Sequence, residues 1–243
     1  MAVVSERRRR WLVFGAALLA AALTARLGLW QLDRAAQKVA LQRAIEARAA
    51  EPPLPAAALA RDAEAAAAQH HRRVRLAGRW RNEFSVYLDN RQMDARPGFV
   101  LVTPLKLGDG SAVLVQRGWV PRDPYDRTRV PPPPGDGDGE VEVHGRIAAP
   151  PSRLYDFGGV DEGRIRQNVD LDGLARETGL NLRPLSVLQL DDGGAADGLQ
   201  RRWPQVAVDV HKHYGYAFQW FALSALITGL YVWFRIVQPR RRR

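Results

Sequence analysis

The run YGYAFQWFALSALITGLYVWF, Tyr214–Phe234, decides the fold, because its 21 residues carry no formal charge and are followed by Arg235 and Arg240–Arg243. As a helix rising about 1.5 Å per residue it reaches about 31 Å, enough to cross a hydrocarbon core of roughly 30 Å. Its aromatic residues gather towards both ends, Tyr214, Tyr216 and Trp220 at one and Tyr231, Trp233 and Phe234 at the other. That is the distribution of headgroup-level belts, and the arginines that follow mark the cytoplasmic side.

Working outward to the N-terminus, Trp11–Ala25 gives fifteen uncharged residues after Arg7–Arg10. Alone they reach only about 22 Å; continued through Leu32 the helix reaches about 33 Å, with Arg26 snorkelling near its outer end or facing protein. A cleaved signal peptide is the competing reading, since a basic start, an apolar centre and small residues around Thr24 and Ala25 also fit one. The uncleaved anchor is preferred. Two spans with basic cytoplasmic flanks place both termini inside and the section between them outside.

The expected organisation is therefore a basic cytoplasmic N-terminus (1–10), a first transmembrane helix (11–32), and a stalk helix with an Ala/Pro-rich linker (33–72). A periplasmic β-rich domain (73–210), a second transmembrane helix (211–234) and a basic cytoplasmic tail (235–243) follow. The fold class is membrane α+β, two transmembrane helices flanking an antiparallel sheet or small barrel. The compartment expected is the bacterial inner membrane.

Charge supports this reading. The formal net charge is +10, of which the first ten residues hold +3 and the last nine +5, so everything between holds only +2. The basic character belongs to the membrane flanks, and nucleic acid is rejected as the main partner. The chain has no cysteine and two methionines, which excludes disulfide staples, thiolate catalysis and Cys- or Met-based copper carriage.

After the first span, Ala35 to about Arg48 is helix-prone and is stopped by Pro52, Pro53 and Pro55. Ala56–Ala68 suits another short helix. From Arg73 short β-prone runs take over: 74–78, 85–88, 99–107, 112–120, 141–147, 165–169 and 185–190. Gly108-Asp-Gly110 joins two of them as a hairpin whose glycines supply positive φ. Val130–Gly139, with four prolines, reads as a plain solvated linker whose two aspartates lack calcium-loop spacing. Leu171–Thr178, closed by Gly179, reads as one helix.

No nucleophile elbow, His-Glu-x-x-His, P-loop or dinucleotide fingerprint occurs, so nothing argues for an enzyme. His70 and His71 lie in a polar run where a solvated segment is the plain reading. His211 and His213 are two apart and diverge on a helix, so they cannot clamp one metal from one face. His213 shares a stripe with Tyr216, Ala217 and Trp220 at spacings of three, four and seven, a neutral imidazole beside aromatic rings that suits the edge of a macrocycle. The plain alternative is an interfacial histidine held by hydrogen bonds. For Arg26, snorkelling stands against neutralising a haem propionate or an acidic partner group.

Four ordered motifs resemble the surfeit locus protein 1 (Shy-type) family of cytochrome c oxidase assembly factors. They are Leu27-Gly-Leu-Trp30-Gln-Leu-Asp-Arg34; Tyr87-Leu-Asp-Asn-Arg91 followed by Arg96-Pro-Gly-Phe99-Val-Leu-Val-Thr-Pro104; Val113-Leu-Val-Gln-Arg117-Gly-Trp-Val-Pro121; and His213-Tyr-Gly-Tyr216-Ala-Phe-Gln-Trp220-Phe221. The resemblance runs from about Arg26 to Trp233. It implies a non-enzymatic role in maturing the oxidase catalytic subunit, with haem a as a transiently held cofactor and His213 as candidate iron ligand. The expected cofactor-binding set is His213, Tyr216, Trp220, Trp30, Gln31 and Arg26, and the expected partners are the catalytic subunit and haem a synthesis or assembly proteins. Each motif also has a packing reading: Gly28, Trp30 and Gln31 suit close contact of the two spans, and Gly118 a bulge or tight backbone approach. The alternative functions are a scaffold that holds an early oxidase intermediate without touching haem and, with no motif behind it, an outer-domain enzyme or small-ligand sensor.

Overall fold

The computed structural model describes residues 6–135, 139–154, 163–190, 197–203 and 210–241. The two aspartates weighed as calcium ligands, Asp136 and Asp138, lie outside these, as do the approach to the second span at 204–209 and the last two arginines. The chain divides into two units, one holding residues 1–44 and 206–243, the other Ile45–Gln205.

In the first unit, α1 runs unbroken from Glu6 to Ala50. The expected span and stalk are thus one helix, because nothing from Trp11 to Ala50 is a proline and Pro52 is the first residue that denies the ladder a donor. The second helix, α4, covers Val210–Val232 and passes through a π-helical segment, Trp233–Val237, into α5, Gln238–Arg241. Both stretches are long and apolar enough to cross a membrane. They run antiparallel: the Phe14 and Tyr231 rings lie 5.7 Å apart, and Ser224 Oγ donates to the Ala21 carbonyl at 2.9 Å.

The second unit is built on a closed five-stranded barrel. Its strands are β2 (Arg73–Trp80), β4 (Arg96–Leu107), β5 (Ala112–Pro121), β6 (Val141–Ala148) and β8 (Leu182–Gln189). Neighbours follow β2–β6–β8–β5–β4, and β4 returns to β2 to close the ring. All five contacts are antiparallel except β5–β8. The order extends at the edges by β1 (Leu54–Pro55) on β2, and by β3 (Val86–Met93) on β4 with β7 (Ile165–Arg166) beyond it.

Alternation of side chains explains the core. In β2 every second residue is buried, and Val74, Leu76 and Trp80 meet Leu105, Val113, Val115, Val143, Ile147, Leu185 and Val187 in one cluster. Short helix α2 (Ala63–Gln69), capped by Asp62, adds Ala66 to it. A second cluster fills the space between the outer part of the sheet and α3 (Leu171–Thr178), joining Leu88, Val100, Leu114 and Trp119 to Leu174. α3 has the bounds read from the sequence, with Asp170 capping its start and Gly179 at φ 67° closing it.

Three local expectations need correction. In the Gly108-Asp-Gly110 hairpin only Gly110 has positive φ, at 82°, and the turn is held instead by Asp109, whose Oδ1 accepts from Ser111 N and Oγ. The run expected at 165–169 pairs only over Ile165–Arg166, because Val169 leaves the sheet to pack in the second cluster. The proline-rich segment is no plain linker: Tyr87 Oη donates to the Pro131 carbonyl at 2.6 Å, Arg117 Nη2 to Pro134 at 2.7 Å and Asn82 Nδ2 to Gly135 at 2.8 Å.

Candidate functional site

In the helix pair, small residues set how closely the backbones approach. Thr24, Gly28 and Ala217 are buried, and a Cβ added at Gly28 would lie 2.8 Å from the Phe221 ring. Gly28 therefore lets α1 accept the edge of Phe221, the role small residues play between membrane helices. Thr24 satisfies its hydroxyl on its own helix, donating to Ala20 or Ala21 carbonyls. The Ser224 hydroxyl crosses to the other.

Beyond Gly28, on the same side of the seam, Gln31 faces His213 and the pair is joined at 2.7 Å, Gln31 Oε1 to His213 Nδ1. An amide oxygen only accepts, so the proton sits on Nδ1 and the Nε2 lone pair is left free. Nε2 has no hydrogen-bond partner among the described residues. An imidazole oriented through one nitrogen and open at the other is the arrangement that metal-binding histidines use. The imidazole is partly buried.

The other expected site residues are placed as follows. Trp220 is partly buried on α4 one turn beyond Ala217. Tyr216 and Trp30 are exposed, by 52% and 44%, and the Arg34 guanidinium lies 5.5 Å from the centre of the Trp30 ring. Arg26 is exposed and forms no ion pair among the described residues, and so does not approach His213's pair through any contact. The structure thus brings together His213 and Gln31, while Tyr216, Trp30 and Arg26 project away from protein.

Sequence reasoning missed two positions. Phe221 and Ser224 complete the seam, yet their partners Gly28 and Ala21 lie about two hundred residues away in the chain, and no local period reveals that register. In the outer domain, Gly118 does accompany a bulge: Leu101 pairs with Gly118 and Val102 with Gln116, which leaves Arg117 as the extra residue. The bulge turns Arg117 inward, where it is 4% exposed and stacks on the Trp80 ring at 4.1 Å. Burial holds its guanidinium down at about 10.

A profile described as the SURF1 family matches residues 18–225. A SURF1-like protein of Rickettsia felis is 24% identical over 219 residues, covering 86% of this chain and 90% of its own. One from Rickettsia bellii is 24% identical over 215 residues, covering 84% and 83%.

Proposed function

The chain belongs to the SURF1 family, known as cytochrome oxidase assembly factors, and on that premise we propose that it assists haem a delivery to the oxidase catalytic subunit. The observation that carries the reading is the Gln31–His213 pair, with Nε2 of the imidazole open. Among the described residues this is a donor that fits an axial position on haem iron, and bound haem would supply the planar, propionate-bearing macrocycle that the oxidase needs.

Each residue then has a physical task. His213 would hold the haem iron through Nε2. Gln31 holds the ring by its other nitrogen, which fixes the tautomer and raises the basicity of the donor atom. Trp30, Tyr216 and Trp220 give apolar and aromatic surface at the level where a bilayer meets water, and Arg26 snorkels to that level with its charge available to a propionate.

The helix pair supports a reading of the chain's place in the cell. Because α1 and α4 are antiparallel, Arg7–Arg10 and Arg235, Arg240 and Arg241 lie at the same end of the pair. The excess of positive charge there favours the cytoplasmic side of the inner membrane, with the barrel domain in the periplasm. No enzymatic step is required of the chain, and its partners are the catalytic subunit and the proteins that make or deliver haem a. The test in cells is the haem content of the purified catalytic subunit. Replacing the chain by His213→Ala should lower haem a per subunit towards the level of a deletion strain, at unchanged amounts of the variant in the membrane. Full haem content in the His213→Ala strain contradicts the proposal.

A further inference from the structure

Arg91, at the end of the Tyr87–Arg91 motif, lines a cavity of about 590 Å³ on the outer domain. That volume is within the range of small-molecule sites. The walls are mostly apolar, with Leu88, Met93, Val100, Trp119, Leu188 and Trp203 among them. Both indole N–H groups are already used, Trp119 Nε1 on the Arg91 carbonyl at 2.9 Å and Trp203 Nε1 on the Gln189 carbonyl at 2.6 Å. Trp203 therefore offers the cavity only apolar surface, while Trp119 is fully buried behind the wall. Arg91 is the one charged residue in the described lining.

Among the described residues no carboxylate pairs with it. Nη1 donates to Ser152 Oγ at 3.3 Å and Nη2 to the Gln167 carbonyl at 3.0 Å, both neutral, and buried Nε has no partner among the described residues. The neighbouring acids are committed elsewhere: Asp89 pairs with Arg122, and Asp94 with Arg202 at 2.7 Å. Two other shielded arginines of the domain meet carboxylates, Arg166 on Glu177 and Arg183 on Asp109. Burial alone pushes the Arg91 guanidinium below its ordinary range, with no acid opposing it. A guanidinium held against neutral groups at the wall of an apolar cavity is a pre-organised half of a bidentate pair.

We propose that this cavity binds an amphipathic carboxylate, a small acid whose carboxylate pairs with Arg91 and whose aromatic or aliphatic body lies against the partly exposed Leu188 and Trp203. Arg91 gives the site its selectivity for acids, because an uncharged ligand of the same shape leaves the guanidinium without its counter-charge. Loss of Arg91 need not collapse the cavity: Asn168 holds Leu154 independently, its Oδ1 accepting from Leu154 N at 2.7 Å and its Nδ2 donating to the carbonyl at 3.0 Å.

The test is calorimetric titration of the full chain in lipid nanodiscs with indole-3-butyrate and with its uncharged amide, empty nanodiscs serving as the blank. The wild type should bind the acid about tenfold or more tightly than the amide. Arg91→Gln should bring the two affinities together, and Leu188→Trp, which fills the cavity with Arg91 in place, should abolish both. No saturable binding to the wild type, equal affinity for acid and amide, or an acid preference that survives Arg91→Gln overturns the proposal. The wild-type comparison decides the matter even where a variant fails to fold.

Discussion

Gln31 Oε1 sits 2.7 Å from His213 Nδ1, joining two helices whose partners are 182 residues apart in the chain. This contact fixes which imidazole nitrogen carries the proton, and hence which is free to bind. Gln31→Leu keeps the bulk and removes the acceptor, so haem affinity should fall about 10- to 100-fold, the usual cost of losing the group that orients a ligating histidine. Gln31→Glu keeps an acceptor, strengthens the donor character of Nε2, and should retain haem with a lowered reduction potential. Spectroscopic titration and potentiometry on the two variants check this.

Gly28 and Phe221 set the helix register. Gly28→Leu forces the Phe221 ring away, since even a Cβ there would lie 2.8 Å from it. The chain lacks cysteine, so a reporter is readily built. In a variant carrying Ala21→Cys and Ser224→Cys, oxidation should join the helices in high yield, and adding Gly28→Leu should cut that yield several-fold. Shortening the neighbour by Phe221→Ala should restore it.

Arg117 ties the barrel to the proline-rich segment through Trp80, Asn82 and the Pro134 carbonyl. Arg117→Met should destabilise the outer domain by about 2–4 kcal/mol, through lost stacking and two unpaired acceptors. Arg117→Lys should recover little, because an ammonium cannot lie flat on Trp80 while reaching both oxygens. Urea unfolding of the full chain followed by tryptophan fluorescence measures both.

Glu142 predicts an acid-dependent component of stability. Hydrogen bonds from Arg75 and His144 hold its carboxyl down at about 2, against an ordinary value of 4.5. The folded-state value is the lower one, so the contribution is fully present above about pH 4.5 and is lost as pH falls towards 2. The difference in Tm between wild type and Glu142→Gln should be constant near neutrality and shrink across that window. A difference unchanged down to pH 2.5 would rule the account of this pair out.

Much of the barrel unit was legible because its strands are short β-prone runs set off by turn residues, although only β2 and β6 alternate and β4 and β5 are buried on both faces. The reading placed β2, β4, β5, β6 and β8 within about three residues of their observed ends, and α3 at its bounds, since Asp170 and Gly179 are local signals. Barrel closure was not legible. The β2–β4 return and the parallel β5–β8 contact join residues far apart in the chain, and neither leaves a local trace. The helix pair shows the same division. A helical stripe grouped His213 with Tyr216, Ala217 and Trp220, and Gln31 came from the motif at the end of the first span, whereas the seam runs through Ala217, Phe221 and Ser224 and leaves Tyr216 exposed. A stripe says which residues share a face, and only the partner helix says which part of it is used.

The most direct measurement of the central claim is the visible spectrum of the chain purified from cells that make haem a, as wild type and as His213→Ala. The account predicts a stoichiometric haem a signal in the wild type that is lost or shifted in the variant at equal protein. A wild type without haem, or a variant with an unchanged spectrum, would contradict it and leave a scaffold that never touches the cofactor.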